Sequence, residues 1–433
     1  MRPTTLKHIL DIWGSFLKVR RPLEQVIAYH VRSHHQIGSQ ERTMIKNILF
    51  STSRHNQQIF WHLEQAGHAA ETLTLFFPLF YLKLYPPTPR DAMPPADFYM
   101  MSGLRQKLAA FSLTSGSDTT LLQGSKPSVP QPQWVTANCP PAWWRLFFKQ
   151  YGDAAQSLIQ PSDTYLPTDV VLTSRGEPGD GQTRASVQKA MADAGIETTC
   201  TPYSPLGLTL HAPVSTDALA QYPVMRQDQS SQLLTVLCDV APAKKVLDLC
   251  AGRGGKTTTL RTLMREKSQL WATDINDDRY QLLQERVPAM MLGQPPVSFL
   301  PYEEMCQKTA QFDRVLVDAP CTGTGTWRRH PDFPLRCDVS EIKAYCAIQK
   351  KLLQTAWALV APGGRLIYAT CSILAQENEK QIARFLETHH DGVLGPLPKE
   401  AWVPKDLQAS PFLKLRPDLH QTDGFFAASI QKR

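Results

Sequence analysis

The chain has 433 residues, of which 42% are hydrophobic and 20% charged, and its formal net charge is +7. Such a length exceeds one ordinary core, so two or three domains are expected, and the composition excludes an intrinsically disordered chain. The most apolar stretch, Leu73 to Tyr85, is interrupted by Pro78 and Lys83 and is shorter than the roughly 20 residues that span a bilayer, so no membrane partner is expected.

From Leu6 to about Leu113 apolar residues recur at helical spacing, as in Ile9, Ile12, Trp13, Phe16 and Leu17 and again in Met44, Ile45, Ile48 and Leu49, which predicts an all-helical domain over 1–112. Its first 50 residues hold eight Lys or Arg against Asp11, Glu24 and Glu41, a surplus compatible with a nucleic-acid-binding face or with a solvated helical surface. Five prolines between Pro86 and Pro95 break any helix there. Residues 113–133 turn to Ser, Thr, Gly, Gln and Pro and read as a flexible linker. A small α/β module is expected over 134–220, with a Trp-rich helix at Trp143, Trp144, Leu146, Phe147 and Phe148 and a strand at Val170–Leu172.

From Lys244 strands and helices alternate, the pattern of an α/β, doubly wound parallel sheet. Strands are predicted at Val246–Leu249, Leu270–Thr273, Val297–Leu300, Val315–Val317 and Leu366–Ala369, and helices at Thr257–Arg265, Asp278–Arg286, Glu341–Val360 and Gln376–Thr388. The first strand runs directly into Cys250, Ala251, Gly252, Arg253, Gly254, Gly255 and Lys256, a glycine loop that opens a helix and lets the backbone approach a ligand. Asp274 ends the second strand twenty residues after Gly254, where an acid can accept hydrogen bonds from ribose hydroxyls. A phosphate-cradling loop would need glycine at Cys250, and a nicotinamide fingerprint would need it at Thr257, so an adenosine-containing cofactor of another kind, or a bare turn, remains.

Two thiols follow at the same sheet edge. Asp318-Ala319-Pro320-Cys321 comes after the fourth strand and Thr370-Cys371-Ser372 after the fifth, both at carboxyl ends, where open α/β sheets bind ligands. Carbon 5 of cytosine is a poor nucleophile, and a thiolate adding to carbon 6 turns the ring into an enamine able to take a methyl group. A thiolate of this kind needs donors or positive charge nearby, and a second thiol or a base must then help to remove the carbon 5 proton. The remaining cysteines form no Cys-x-x-Cys pair, and His34-His35 and His389-His390 lack ligands at metal spacing, so free thiols in a reducing cytoplasm and no metal are expected. Nothing at Met1-Arg2-Pro3 has the form of a secretion signal.

Residues 220–433 resemble the Sun family of RNA cytosine-5 methyltransferases. Besides the two cysteine loops, the resemblance rests on Gln227-Asp228, Ser230-Ser231-Gln232, Arg328-Arg329-His330-Pro331-Asp332, Glu377-Asn378-Glu379 and Asp423-Gly424-Phe425-Phe426. It implies a Rossmann-like methyltransferase domain over 221–433 that uses S-adenosylmethionine, with Cys371 as nucleophile, Cys321 in product release, and residues 250–256, Asp274 and Asp318 at the cofactor. The helical domain is similar to NusB-type RNA-binding domains, through Gly38-Ser39-Gln40-Glu41-Arg42. The implied partner is RNA, ribosomal before transfer RNA, acted on by a cytoplasmic monomer. Gly252-Arg253 replaces the usual Ala-Pro, no Arg-x-Asn element stands near Val171–Arg175, and Glu303 is the nearest acid after the third strand. A DNA methyltransferase would need only the Pro-Cys thiol, so Cys371 favours RNA, while a non-catalytic RNA-binding assembly factor would have no need of both cysteines, Asp318 and Lys256.

Overall fold

The computed structural model describes residues 3–65, 74–75, 77–78, 81, 132–160, 166–173, 183–291, 294–396, 403, 405–408 and 410–433. The Pro86–Pro95 segment, the linker expected at 113–133 except its last two residues, and Ser174-Arg175 lie outside them. Among the described residues no helix is long and apolar enough to cross a membrane. The chain divides into two compact units, Met1–Thr164 with Trp327–Val339, and Tyr165–Thr326 with Ser340–Arg433.

The first unit is helical. It opens with α1 (Pro3–Val19), α2 (Leu23–Ser33), α3 (Ser39–Arg54) and α4 (Asn56–Gln65). On α1 the residues Leu6, Ile9, Ile12, Trp13 and Phe16 share one face, as the 3.6-residue period requires, and bury it against Leu23, Val26 and Ile27 of α2 and Ile45 and Leu49 of α3. Asn138 clips the α3–α4 junction, accepting from the Gln57 N–H at 2.8 Å and donating to the Ser53 carbonyl at 2.7 Å. The Trp-rich helix Pro141–Tyr151, expected in the small α/β module, packs in this helical unit. Its Trp143 and Phe147 meet Trp327 edge to face at 5.3 and 5.2 Å, a favoured aromatic geometry, and the Trp143 indole donates to the Cys337 carbonyl at 3.1 Å. Buried Asp332 accepts from the Leu23 N–H at 3.0 Å and from Arg336 Nε at 2.9 Å. Thus the Arg328–Asp332 motif, embedded by chain order in the catalytic half, belongs to the helical unit.

The second unit holds two sheets. A four-stranded antiparallel sheet has the order β2-β3-β1-β4, from β1 (Thr168–Leu172), β2 (Thr198–Cys200), β3 (Gly207–Leu210) and β4 (Val224–Arg226). Val187 and Met191 of the helix Arg184–Asp193 cover it. The larger sheet contains β5 (Lys245–Asp248), β6 (Gln269–Ala272), β7 (Val297–Phe299), β8 (Phe312–Asp318) and β9 (Val360–Thr370), all parallel, within a few residues of the predicted strands.

The sheet is mixed and not wholly parallel. After β10 (Gly392–Leu394) and β11 (Phe412–Leu415), β12 (Phe425–Lys432) pairs antiparallel with β9, and β10 and β11 pair antiparallel with β12. Phe425 to Ile430 are buried because strands or helices cover both faces of β12, which erases the alternation that marks a half-exposed strand. The order is β10-β12-β9-β8-β5-β6-β7, so the winding direction reverses between β5 and β8. At such a switch point the loops beyond the carboxyl ends splay apart and leave a crevice.

Candidate active site

The loop after β5 turns through Gly252 (φ +59°) and Gly254 (φ +83°) into the helix Gly255–Leu263. A Cβ on Gly254 would stand 2.1 Å from Val287 Cγ2, so both the left-handed backbone and the packing behind the loop demand glycine. At the end of β6, Asp274 accepts from the Gly252 N–H at 2.8 Å and from the Asn276 N–H at 2.9 Å. Each carboxylate oxygen thereby holds one backbone group and keeps acceptor capacity for a ligand. Asp248 is fully buried; Thr257 donates to its Oδ2 at 2.8 Å, and its Oδ1 has no hydrogen-bond partner among the described residues. Burial pushes its carboxyl up to about 7, against the opposing hydrogen bond from Thr257 and the charge of Lys256.

The parallel register of β8 and β9 sets Asp318 beside Ala369, so the loops that leave these strands start side by side. As a result Cys321 and Cys371, fifty positions apart in sequence, have their sulfurs 3.4 Å apart. The hydrogen bond to Cys371, then burial, then the charges of Cys371 and Glu377 hold the Cys321 thiol well above its usual range. Either sulfur can donate across this contact. Lys256 Nζ lies 2.6 Å from Asp318 Oδ2. Burial favours the neutral amine, yet the charge and hydrogen bond of Asp318, with Cys371 and Asp248 adding to them, raise the Lys256 pKa overall. A positive charge is thus held at the wall of the cavity that Cys371 also lines.

Both cysteine loops are tied from behind by one buried carboxylate. Glu377 Oε1 accepts from the Thr322 N–H at 2.9 Å and from Gln349 Nε2 at 3.0 Å, while Oε2 accepts the hydroxyls of Thr322 and Ser372. Its neighbour Asn378 accepts from Thr370 Oγ1 at 2.6 Å and donates to the Ser372 carbonyl at 2.8 Å. On the other side Gly325 N–H donates to the Cys371 carbonyl at 2.9 Å, and Gly424 N–H to the Gly325 carbonyl at 2.8 Å. A Cβ on Gly325 would fall 2.0 Å from the Gly424 carbonyl oxygen, so this backbone contact exists only with glycine.

These elements surround a cavity of about 410 Å³ within the second unit. Cys250, Ala251, Gly252, Arg253, Gly255, Lys256, Asp274, Asp318, Cys321 and Cys371 line it, all of them anticipated from the sequence. Gly254 instead lies behind the loop against Val287. Glu303 requires correction: β7 ends at Phe299, and Glu303 stands four residues on, exposed on the short helix Tyr302–Cys306 and not among the residues that line the cavity. Arg226, Ile275 and Arg279 also line the cavity, without having been anticipated. Their positions beside Gln227-Asp228 and just after Asp274 were the available signal. Gln227 itself accepts from Thr259 Oγ1 at 2.9 Å, and Asp228 caps the helix Gln229–Leu237 through the Ser230 N–H.

Residues 235–431 match the family described as 16S rRNA methyltransferase RsmB/F. The ribosomal RNA small subunit methyltransferase B of Pasteurella multocida is 33% identical over 253 residues, covering 56% of this chain and 55% of that protein. The protein of the same description from Vibrio cholerae is 31% identical over 298 residues, covering 68% of this chain and 65% of that protein. The chain thus spans between about half and two thirds of the length of these relatives. In fold, the crystal structure of PH0851 superposes with a TM-score of 0.76 at 22% identity, covering 100% of this chain and 99% of the other. Over residues 235–431 the chain is thus similar to the RsmB/F family of 16S rRNA methyltransferases, across the sheet edge where its two cysteines and its glycine loop meet.

Proposed function

We propose that the protein is an S-adenosylmethionine-dependent RNA cytosine-5 methyltransferase acting on small-subunit ribosomal RNA. The observation that carries this reading is the pair of sulfurs 3.4 Å apart, facing the same cavity as the glycine loop and Asp274. The descriptions of the relatives support the ribosomal substrate.

The donor set suits the cofactor. A carboxylate with spare acceptor capacity at the end of β6 matches a ribose diol, and the backbone of the glycine loop can approach a ligand closely. When bound, S-adenosylmethionine supplies an electrophilic methyl group. Asp274 and residues 250–256 would hold it, with Asp318 beside Lys256 at the cavity wall.

The chain's own groups then divide the work. The Cys371 sulfur, as thiolate, adds to carbon 6 of a cytosine lifted from its stack and so makes carbon 5 nucleophilic, with the charge of Lys256 on the same cavity wall. Once carbon 5 is methylated, its proton must leave so that the carbon 5–carbon 6 double bond reforms and the carbon 6–sulfur bond breaks, expelling Cys371 as thiolate. Cys321, 3.4 Å from that sulfur, is the group placed to take this proton, as a thiolate that has first given its own proton to solvent. Burial of the cysteine loops, fastened by Glu377 and Gly424, keeps both sulfurs in register throughout.

The test is methyl transfer from radiolabelled S-adenosylmethionine to unmethylated 16S RNA and to transfer RNA, with bisulfite sequencing of the product. Label at a single cytosine of the ribosomal RNA is expected. Label confined to transfer RNA, or at an atom other than carbon 5, would overturn the reading.

A further inference from the structure

Three histidines converge in the helical unit. His8 lies on α1, and His30 and His34 lie one turn apart on α2, the i, i+4 spacing that sets two side chains on one face. His8 Nδ1 stands 2.9 Å from His30 Nε2. The His30 and His34 rings stack with centroids 4.1 Å apart, and His8 is edge-on to them at 5.1 and 5.0 Å. One ring nitrogen from each residue falls within 4.8 Å of the other two, the one such group among the described residues.

Packed ring against ring in this way, the three imidazoles bring their nitrogens towards one point. A neutral imidazole has one lone pair to offer a metal ion. For His34 the geometry also selects the tautomer. Its Nδ1 donates to the His30 carbonyl at 2.8 Å, which leaves Nε2 as the bare nitrogen, the orienting contact that metal-bound histidines make.

We propose that His8, His30 and His34 form a binding site for a borderline divalent transition-metal ion, Zn²⁺ foremost, that staples α1 to α2. Neutral imidazole suits such ions, whereas Mg²⁺ and Ca²⁺ prefer oxygen ligands. With Zn–N bonds of about 2.1 Å, a tetrahedral ion spaces its ligand nitrogens roughly 3.4 Å apart. The present spacings, from 2.9 Å up to a limit of 4.8 Å, bracket that value, so small ring rotations close the site without moving either helix. Water takes the fourth position. His34, set aside from the sequence as a surface residue, lacked a visible partner because its third companion lies 26 positions upstream on another helix. The proposal rests on no reading of the methyltransferase site.

The experiment uses the full chain, stripped with chelator, kept reduced and titrated with Co²⁺ as a spectroscopic substitute and with Zn²⁺ by calorimetry. Nine free cysteines compete for either ion, and a thiolate charge-transfer band reveals them if they bind. One equivalent of Co²⁺ with visible ligand-field bands and no thiolate band is expected, together with a rise in melting temperature on adding Zn²⁺. His30→Ala should abolish both effects, and His8→Ala or His34→Gln should weaken binding by at least about tenfold, as loss of even an outer-shell partner does. Circular dichroism checks each variant, and His34→Gln carries the test if His30→Ala loses helicity. Absence of uptake by the full chain, uptake unchanged in these variants, or a thiolate band would each overturn the proposal.

Discussion

Glu377 is the group whose loss most directly separates positioning from chemistry. It does not line the cavity, yet its two oxygens accept four hydrogen bonds from three residues around the cysteine loops. In Glu377→Gln the new oxygen must face the Thr322 N–H and Gln349 Nε2, neither of which can turn into an acceptor. The new amide then faces the hydroxyls of Thr322 and Ser372, which can rotate. The net loss is about one charge-assisted hydrogen bond, roughly 1.5–3 kcal/mol. Glu377→Ala leaves the Thr322 N–H and the Gln349 amide unpaired, at about 1–3 kcal/mol each, and opens a small cavity besides. For a unit of this size, about 2–4 °C per kcal/mol converts the glutamine variant to a fall of roughly 3–12 °C in Tm, and the alanine variant to more. Differential scanning calorimetry reads the melting, and single-turnover methyl transfer below the melting range reads the sulfur geometry. A lower single-turnover rate with near-normal cofactor affinity is expected. Melting and turnover both at wild-type values in Glu377→Ala would refute the reasoning, and lost stability with an unchanged rate would reduce Glu377 to a structural residue.

Other perturbations probe the remaining groups. Cys371→Ala should give neither methylation nor a covalent RNA adduct, whereas Cys321→Ala should trap enzyme joined to RNA; a denaturing gel with the reverse pattern would exchange the two roles. Asp274→Ala removes a charge-assisted interaction of about 1.5–3 kcal/mol, so calorimetry should show cofactor affinity falling roughly ten- to hundredfold, and unchanged affinity would remove Asp274 from the site. Asp248 holds its proton up to about pH 7 in the fold but releases it near pH 4 when unfolded. Stability from this group is therefore full below about pH 4 and declines as pH rises towards 7, and Asp248→Asn should flatten that slope in denaturant titrations. An identical slope in the variant would mean that Asp248 is ionised in the fold. In the helical unit, exchanging the exposed Lys7, Lys18 and Arg21 for Gln should lessen the salt dependence of RNA affinity by about 0.7–0.9 in log–log slope for each phosphate no longer neutralised, and an unaltered slope would move the RNA-binding face elsewhere.

Sequence by itself determined the parallel strands β5 to β9 and the loops at their carboxyl ends, because buried apolar runs, glycines and acids recur there at spacings that backbone geometry dictates. It also located the pocket-lining residues from Cys250 to Arg253, together with Asp274, Asp318, Cys321 and Cys371, since a residue at a strand's carboxyl end is placed by chain order alone. Tertiary structure decided whatever depends on distance between remote segments. Whether Cys321 and Cys371 touch depends on the β8–β9 register, which leaves no local pattern, and on the Glu377 clip, whose partners Thr322 and Gln349 lie 55 and 28 positions away in the chain. The helical unit claims Trp327–Val339 through Trp143 and Leu23, nearly two hundred and about three hundred positions away in the chain. Glu303 stood at a credible sequence distance, but it lies exposed on the short helix that follows β7. The histidine trio was equally hidden, because two of its members lie on one helix and the third on another, and only packing of α1 against α2 brings their nitrogens together.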